Sequence, residues 1–112
     1  LGKRKRKNPM INCSKCKREF QKEGESRMVA SISGSIQGDE CIESYYFCQH
    51  CGVYTVEIYW DMFSGEETSS VQGPISKEEG DTKVELIRKC SRPWDKKCRC
   101  PAHLEYFGES LD

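Results

Sequence analysis

Two C-x-x-C pairs, Cys13-Ser14-Lys15-Cys16 and Cys48-Gln49-His50-Cys51, constrain this chain more than any other feature. Each pair lets a short loop curl around one ion, and two such pairs bring four thiolates to a tetrahedral site. Gly52, directly after the second pair, suits the tight turn such a loop makes. A second group lies further on, where Cys90, Cys98, Cys100 and His103 supply four more ligand-type side chains. The Cys98-x-Cys100 spacing strains a disulfide, and shared ligation removes that strain. Cys41 is left over, and the spacing leaves open whether it replaces His103 or Cys90 in the second group.

The need for such staples follows from composition. The chain has 112 residues, 36% of them hydrophobic and 32% charged, which points to one domain with a thin core. A structural zinc site supplies on the order of 10 kcal/mol of folding free energy, comparable to the whole net stability of a small domain. Eight cysteines also fit a disulfide scaffold, but the two-residue spacings favour metal. An iron–sulfur cluster is disfavoured because no C-x-x-C-x-x-C run occurs. The cofactor expected is zinc, one ion in the first group and another in the second. No apolar run approaches the ~20 residues that cross a bilayer. With free thiolates required, the expected location is intracellular, in the cytoplasm or nucleus, with no membrane partner.

The formal net charge of zero conceals a segregation. Residues 1–22 carry nine Lys or Arg against Glu19 alone, and residues 87–99 carry six against Asp95. Between them, residues 23–86 carry thirteen acids against Arg27, Lys77 and Lys83. The basic segments coincide with most of the ligand cysteines. One cause is local, since cations favour the thiolate form and offset the charge of a four-thiolate site. The other is a phosphate-binding surface.

Along the chain, residues 1–9 read as a disordered basic arm, and Met10 offers a natural start that would leave the arm outside the native protein. Residues 10–112 read as a single zinc-binding domain: a sheet over 10–63, then a helix with the second ligand group over 74–107. Met28, Ala30, Ile32, Gly34 and Ile36 alternate with serines, which predicts a strand. Gly38-Asp39-Glu40 reads as a turn, and Ile42–Phe47 as a second strand. The third strand is the clearest, with Tyr54, Val56, Ile58, Trp60 and Met62 on one face and Thr55, Glu57, Tyr59 and Asp61 on the other. Gly65–Gly73 reads as a polar loop. Ser76-x-x-Glu79 and Thr82-x-x-Glu85 both fit capping boxes, and Gly80 favours the later helix start. Val84, Ile87 and Cys90 then share one stripe, and Pro93 ends the helix. The fold class expected is α+β, a small antiparallel sheet of about three strands with one helix.

Over residues 11–63 the chain resembles a zinc ribbon, in which two cysteine knuckles clamp one zinc at the end of an antiparallel sheet; Cys13, Cys16, Cys48, Cys51 and Gly52 carry the resemblance. The chain departs from it at Lys17, where the commoner knuckle has glycine.

Catalysis finds little support. Neither C-x-x-C pair has the βαβ context of a redox motif, and no H-x-E or H-E-x-x-H pattern occurs; Cys41 with His50 or His103 is the remaining nucleophile–base pairing. The expected role is therefore binding, not enzymatic: a small accessory protein that binds nucleic acid or a nucleic-acid-associated complex. Lys15, Lys17, Arg18, Arg88, Lys89, Arg92, Lys96, Lys97 and Arg99, together with Lys3–Lys7 of the arm, are the candidate phosphate contacts. Trp94, amid the second basic segment, is the candidate aromatic contact. The alternatives are a protein-interaction or assembly subunit with purely structural zinc, and an iron–sulfur or redox electron carrier.

Overall fold

A computed structural model describes residues 11–18, 20 and 28–112. The basic arm, Lys3–Lys7 and Met10 lie outside the described residues. Four strands, not three, form one antiparallel sheet in the order β1-β2-β3-β4, namely Met28–Ile36, Asp39–Cys48, Val53–Asp61 and Glu67–Ser76. Two helices follow, α1 over Lys77–Arg88 and α2 over Pro101–Phe107, with a 3-10 turn at Gly108–Ser110.

The first hairpin turns on Gln37 and Gly38, both at positive φ (53° and 86°), so that Ile36 pairs with Asp39. This two-residue turn matches the strand twist and lies one residue earlier than the glycine-led turn expected from the sequence. The extra strand, β4, occupies most of the stretch expected to be a loop. It pairs with β3 in the register Ile58↔Ser70, yet almost all its residues are exposed. With neither face well buried, nothing imposes alternation on its sequence; besides the backbone ladder, Ser69 Oγ donates to Glu57 Oε2 at 3.2 Å and Ile75 packs against the core.

In β2 and β3 the alternation places Tyr45, Tyr54 and Val56 on one face, where with Ile32 they meet Val84 and Ile87 of α1. Helix α1 starts at the earlier capping box: the Glu79 amide donates to Ser76 Oγ at 3.1 Å. Gly80 therefore lies inside the helix. A Cβ there would stand 2.0 Å from Cδ2 of Tyr54, so glycine lets the helix lie directly against that ring. The single-helix expectation fails because α2 is only seven residues long and its cap is a cysteine: Cys100 Sγ accepts the His103 amide, and Pro101 takes the first helical position.

The outer edge of β1 is covered by the C-terminal segment. Ser33 N donates to Pro93 O at 2.8 Å, and Asp112 N to Ser35 O at 2.8 Å. The Asp112 carboxylate accepts the Gln37 and Gly38 amides (2.6 and 2.9 Å) and the Ser35 hydroxyl (2.9 Å). On the face away from the helices, the first knuckle docks through the stacked pair Phe20–Tyr46, ring centroids 5.4 Å apart, and through Ser14 on Thr55.

Candidate metal centres

The two C-x-x-C pairs form matching turns. Lys17 N donates to Cys13 O at 2.9 Å and Gly52 N to Cys48 O at 2.7 Å, with φ of 70° at Lys17 and 71° at Gly52. Lysine thus adopts in the first knuckle the left-handed conformation that glycine adopts freely in the second. The knuckles meet because Cys48 ends β2 and the second turn feeds β3, while Ile11, Phe20 and Tyr46 pack a small apolar cluster around them.

Within this first group, Cys13, Cys16, Cys48 and Cys51 place their sulfurs within 4.8 Å of one another. Cys13 Sγ lies 3.9 Å from Cys51 Sγ, and Cys16 Sγ 3.8 Å from Cys48 Sγ. A tetrahedron with metal–sulfur bonds of about 2.3 Å has edges of about 3.8 Å, so these separations fit four thiolates around one ion. They are far beyond a disulfide bond, and all eight cysteines are free. Amides of Lys15 and Cys16 point at Cys13 Sγ, at 3.3 and 3.4 Å. Against the opposing effect of burial, those amides hold the Cys13 thiol down to about 7. Cys51 is pushed up to about 12 by desolvation and by its thiol neighbours. Four such thiols ionise together only around a cation.

The second group gathers Cys90, Cys98, Cys100 and His103, again within 4.8 Å of one another. Cys90 follows α1, Cys98 closes a turn with its amide on Asp95 O, and Cys100 and His103 occupy the cap and first turn of α2. Cys90 Sγ lies 3.8 Å from Cys98 Sγ and 3.1 Å from His103 Nδ1. His103 is completely buried, and its Nε2 lies 2.7 Å from Ser33 O. That carbonyl requires a proton on Nε2, which leaves the Nδ1 lone pair facing the sulfurs, the arrangement of a metal-ligating imidazole with an oriented far side. The His103 amide holds the Cys100 thiol down to about 6.

Cys41 belongs to neither group. It is buried at 2% exposure in β2, opposite Trp60 of β3, where burial and then Glu43 push its thiol up to about 12. His50 is exposed on the second knuckle.

The candidate phosphate contacts divide by what their side chains already do. Lys15, Lys17, Arg18, Arg88, Lys89, Arg92 and Lys97 are exposed, and Lys96 is half-buried. Arg92 pairs loosely with Asp95 at 3.6 Å. Arg99 is also exposed, but its guanidinium is spent on the carbonyls of Asp112, Lys96 and Cys98, at 2.7–3.2 Å. Trp94 is 70% exposed on the loop that Cys90 and Cys98 bracket. Among the described residues no helix is long and apolar enough to cross a membrane. No family model, curated protein or solved structure matches the chain.

Proposed function

We propose that this protein is a zinc-organised binding module that grips single-stranded nucleic acid through the loop between Cys90 and Cys98. Two zinc ions are structural here: one is held by Cys13, Cys16, Cys48 and Cys51, the other by Cys90, Cys98, Cys100 and His103, each set filling four positions and leaving none for substrate. The separations among the sulfurs favour a single ion over a cluster, which spreads its thiolates over several irons.

The observation that carries the reading is Trp94, 70% exposed among Lys89, Arg92, Lys96 and Lys97. Exposing an indole forgoes burial in a protein with little apolar material to spare. An aromatic face ringed by cations is what a stacked base and its phosphates require, at about 1–3 kcal/mol per stacked base. Ligation at both ends of the loop restrains the backbone that carries the indole, which lowers the ordering cost of association. Lys15, Lys17 and Arg18 extend the cationic surface from the first knuckle, whereas Arg99 works as a brace within its own loop.

Binding of a short single-stranded oligonucleotide across a salt series tests this. Trp94→Ala is expected to weaken binding about tenfold. Lys96→Ala with Lys97→Ala should reduce the magnitude of the log–log salt slope by about 0.7 for each phosphate left without its lysine. Affinity that is absent, or indifferent to salt, overturns the reading. It would leave the assembly-subunit alternative, for which the long exposed strand β4 is the feature in favour.

A further inference from the structure

Between the helices and the sheet, lined from all four strands, lies a half-open cavity of about 590 Å³ that the metal centres and the cationic loop do not use. Its size falls within the ~300–1,000 Å³ usual for small-molecule sites. Val56, Ile58 and Trp60 form an apolar floor, while Tyr106 and Phe107 of α2 form one wall.

Into this space, whose lining is mixed polar and apolar, the protein brings two carboxylates, a half-buried Glu43 from β2 and an exposed Glu79 from α1. Neither forms an ion pair with Lys or Arg among the described residues. Glu43 is instead positioned by a hydrogen-bonded chain: Tyr45 and Tyr106 hydroxyls lie 2.6 Å apart, and Tyr106 donates a short hydrogen bond to Glu43 Oε1. Its other oxygen has no hydrogen-bond partner among the described residues. Lys83 is the one cation in the lining, and neither carboxylate is within ion-pair distance of it. The wall already accommodates one ammonium, since Lys83 Nζ sits 5.1 Å above the Tyr106 ring. Counting Lys83 against Glu43 and Glu79, the lining retains one negative charge in excess.

We infer that this cavity is a binding site for a small organic ammonium ion, its charged end on Glu43 beside Tyr45 and Tyr106, and its apolar body against Ile58, Trp60 and Phe107. A neutral analogue loses the ion pair, and a carboxylate analogue is repelled by Glu43 and Glu79. Specificity therefore resides in charge, since all three present the same apolar body. The site stands independently of nucleic-acid binding, because none of the cations proposed to contact phosphates lines it.

The test is a chemical-shift titration of the zinc-loaded full chain with 2-phenylethylammonium, 2-phenylethanol and 3-phenylpropionate. The Trp60 indole reports the cavity and the Trp94 indole serves as internal control. A saturable shift of Trp60 with Trp94 unmoved is expected for the ammonium, with at least tenfold weaker binding of the alcohol and none of the carboxylate. Glu43→Gln should weaken the ammonium at least tenfold. Ser70→Phe, introduced at an exposed position on the cavity lining, should abolish binding by filling the space. It provides a second test if the Glu43 variant fails to fold. The proposal is overturned if Trp60 does not respond saturably, if ammonium and alcohol bind equally, or if Ser70→Phe, or a folded Glu43→Gln, binds as tightly as the parent.

Discussion

His103 and Ser33 join the second ligand group to the first strand: Nε2 of the buried imidazole lies 2.7 Å from the Ser33 carbonyl oxygen, across seventy residues of chain. One side chain therefore both completes a metal set and closes a sheet edge, and substitution separates the two tasks. His103→Cys keeps four ligands and gives up the hydrogen bond to the carbonyl. It is expected to retain two zinc ions per chain, to lose about 1 kcal/mol of stability, and to speed amide exchange in β1. His103→Ala loses both, and metal analysis should return one ion per chain.

The paired knuckle turns predict opposite effects at equivalent positions. Lys17 holds φ of 70° with a side chain that disfavours it, so Lys17→Gly should stabilise the zinc-loaded protein by about 1 kcal/mol. Gly52→Ala should destabilise it by a similar amount. Denaturant midpoints at fixed free zinc measure both.

Gly80 reverses the ordinary helix rule. In an exposed helix, Gly→Ala gains about 1 kcal/mol, but here the added methyl would overlap the Tyr54 ring. Gly80→Ala is expected to cost about 1–3 kcal/mol, read as a lower thermal midpoint. Tyr54→Phe at the same position of the interface removes only the hydroxyl's 2.6 Å hydrogen bond to Asp81 and should cost less.

Acid should loosen the C-terminal clasp before it unfolds the sheet. The Gly38 amide, the Ser35 hydroxyl and the Gln37 amide hold the Asp112 carboxyl below its ordinary value of 3.8. A depressed folded value means the clasp contributes fully above the ordinary value and is lost as pH falls through the lowered one. Asp112→Asn should bring that loosening to neutral pH, seen as faster exchange at the Gln37 and Gly38 amides.

The elements with burial were legible from the residues. Tyr54, Val56, Ile58 and Trp60 alternate with Thr55, Glu57 and Tyr59 in a strand covered on both faces, and the two groups of ligand-type side chains stood out by spacing, with Cys41 left open as a substitute in the second. What escaped notice had no burial or familiar cap to signal it. Strand β4 is exposed on both faces and reads as a loop, and α2 is capped by Cys100, a residue type that capping rules overlook. Gly80 favours the later capping box by propensity alone, while its cause lies in the Tyr54 ring 26 residues earlier. The cavity was invisible in sequence, because Glu43 and Glu79 reach one lining only through the packing of α1 against the sheet.

The meander order of the sheet governs how the molecule is made on the ribosome. Each strand pairs with its sequence neighbour, so the sheet assembles through short closures as the chain emerges. The first four ligands are all present once Cys51 has been synthesised, whereas the second set waits for His103, 52 residues later. At about 5–20 residues per second that gap lasts roughly 3–10 seconds. During it the nascent sheet carries β1 without the Pro93, His103 and Asp112 contacts that later cover its edge. An uncovered edge strand recruits other strands, so the vulnerable period falls in those seconds of synthesis, and the segment that carries the second ligand group is what ends it.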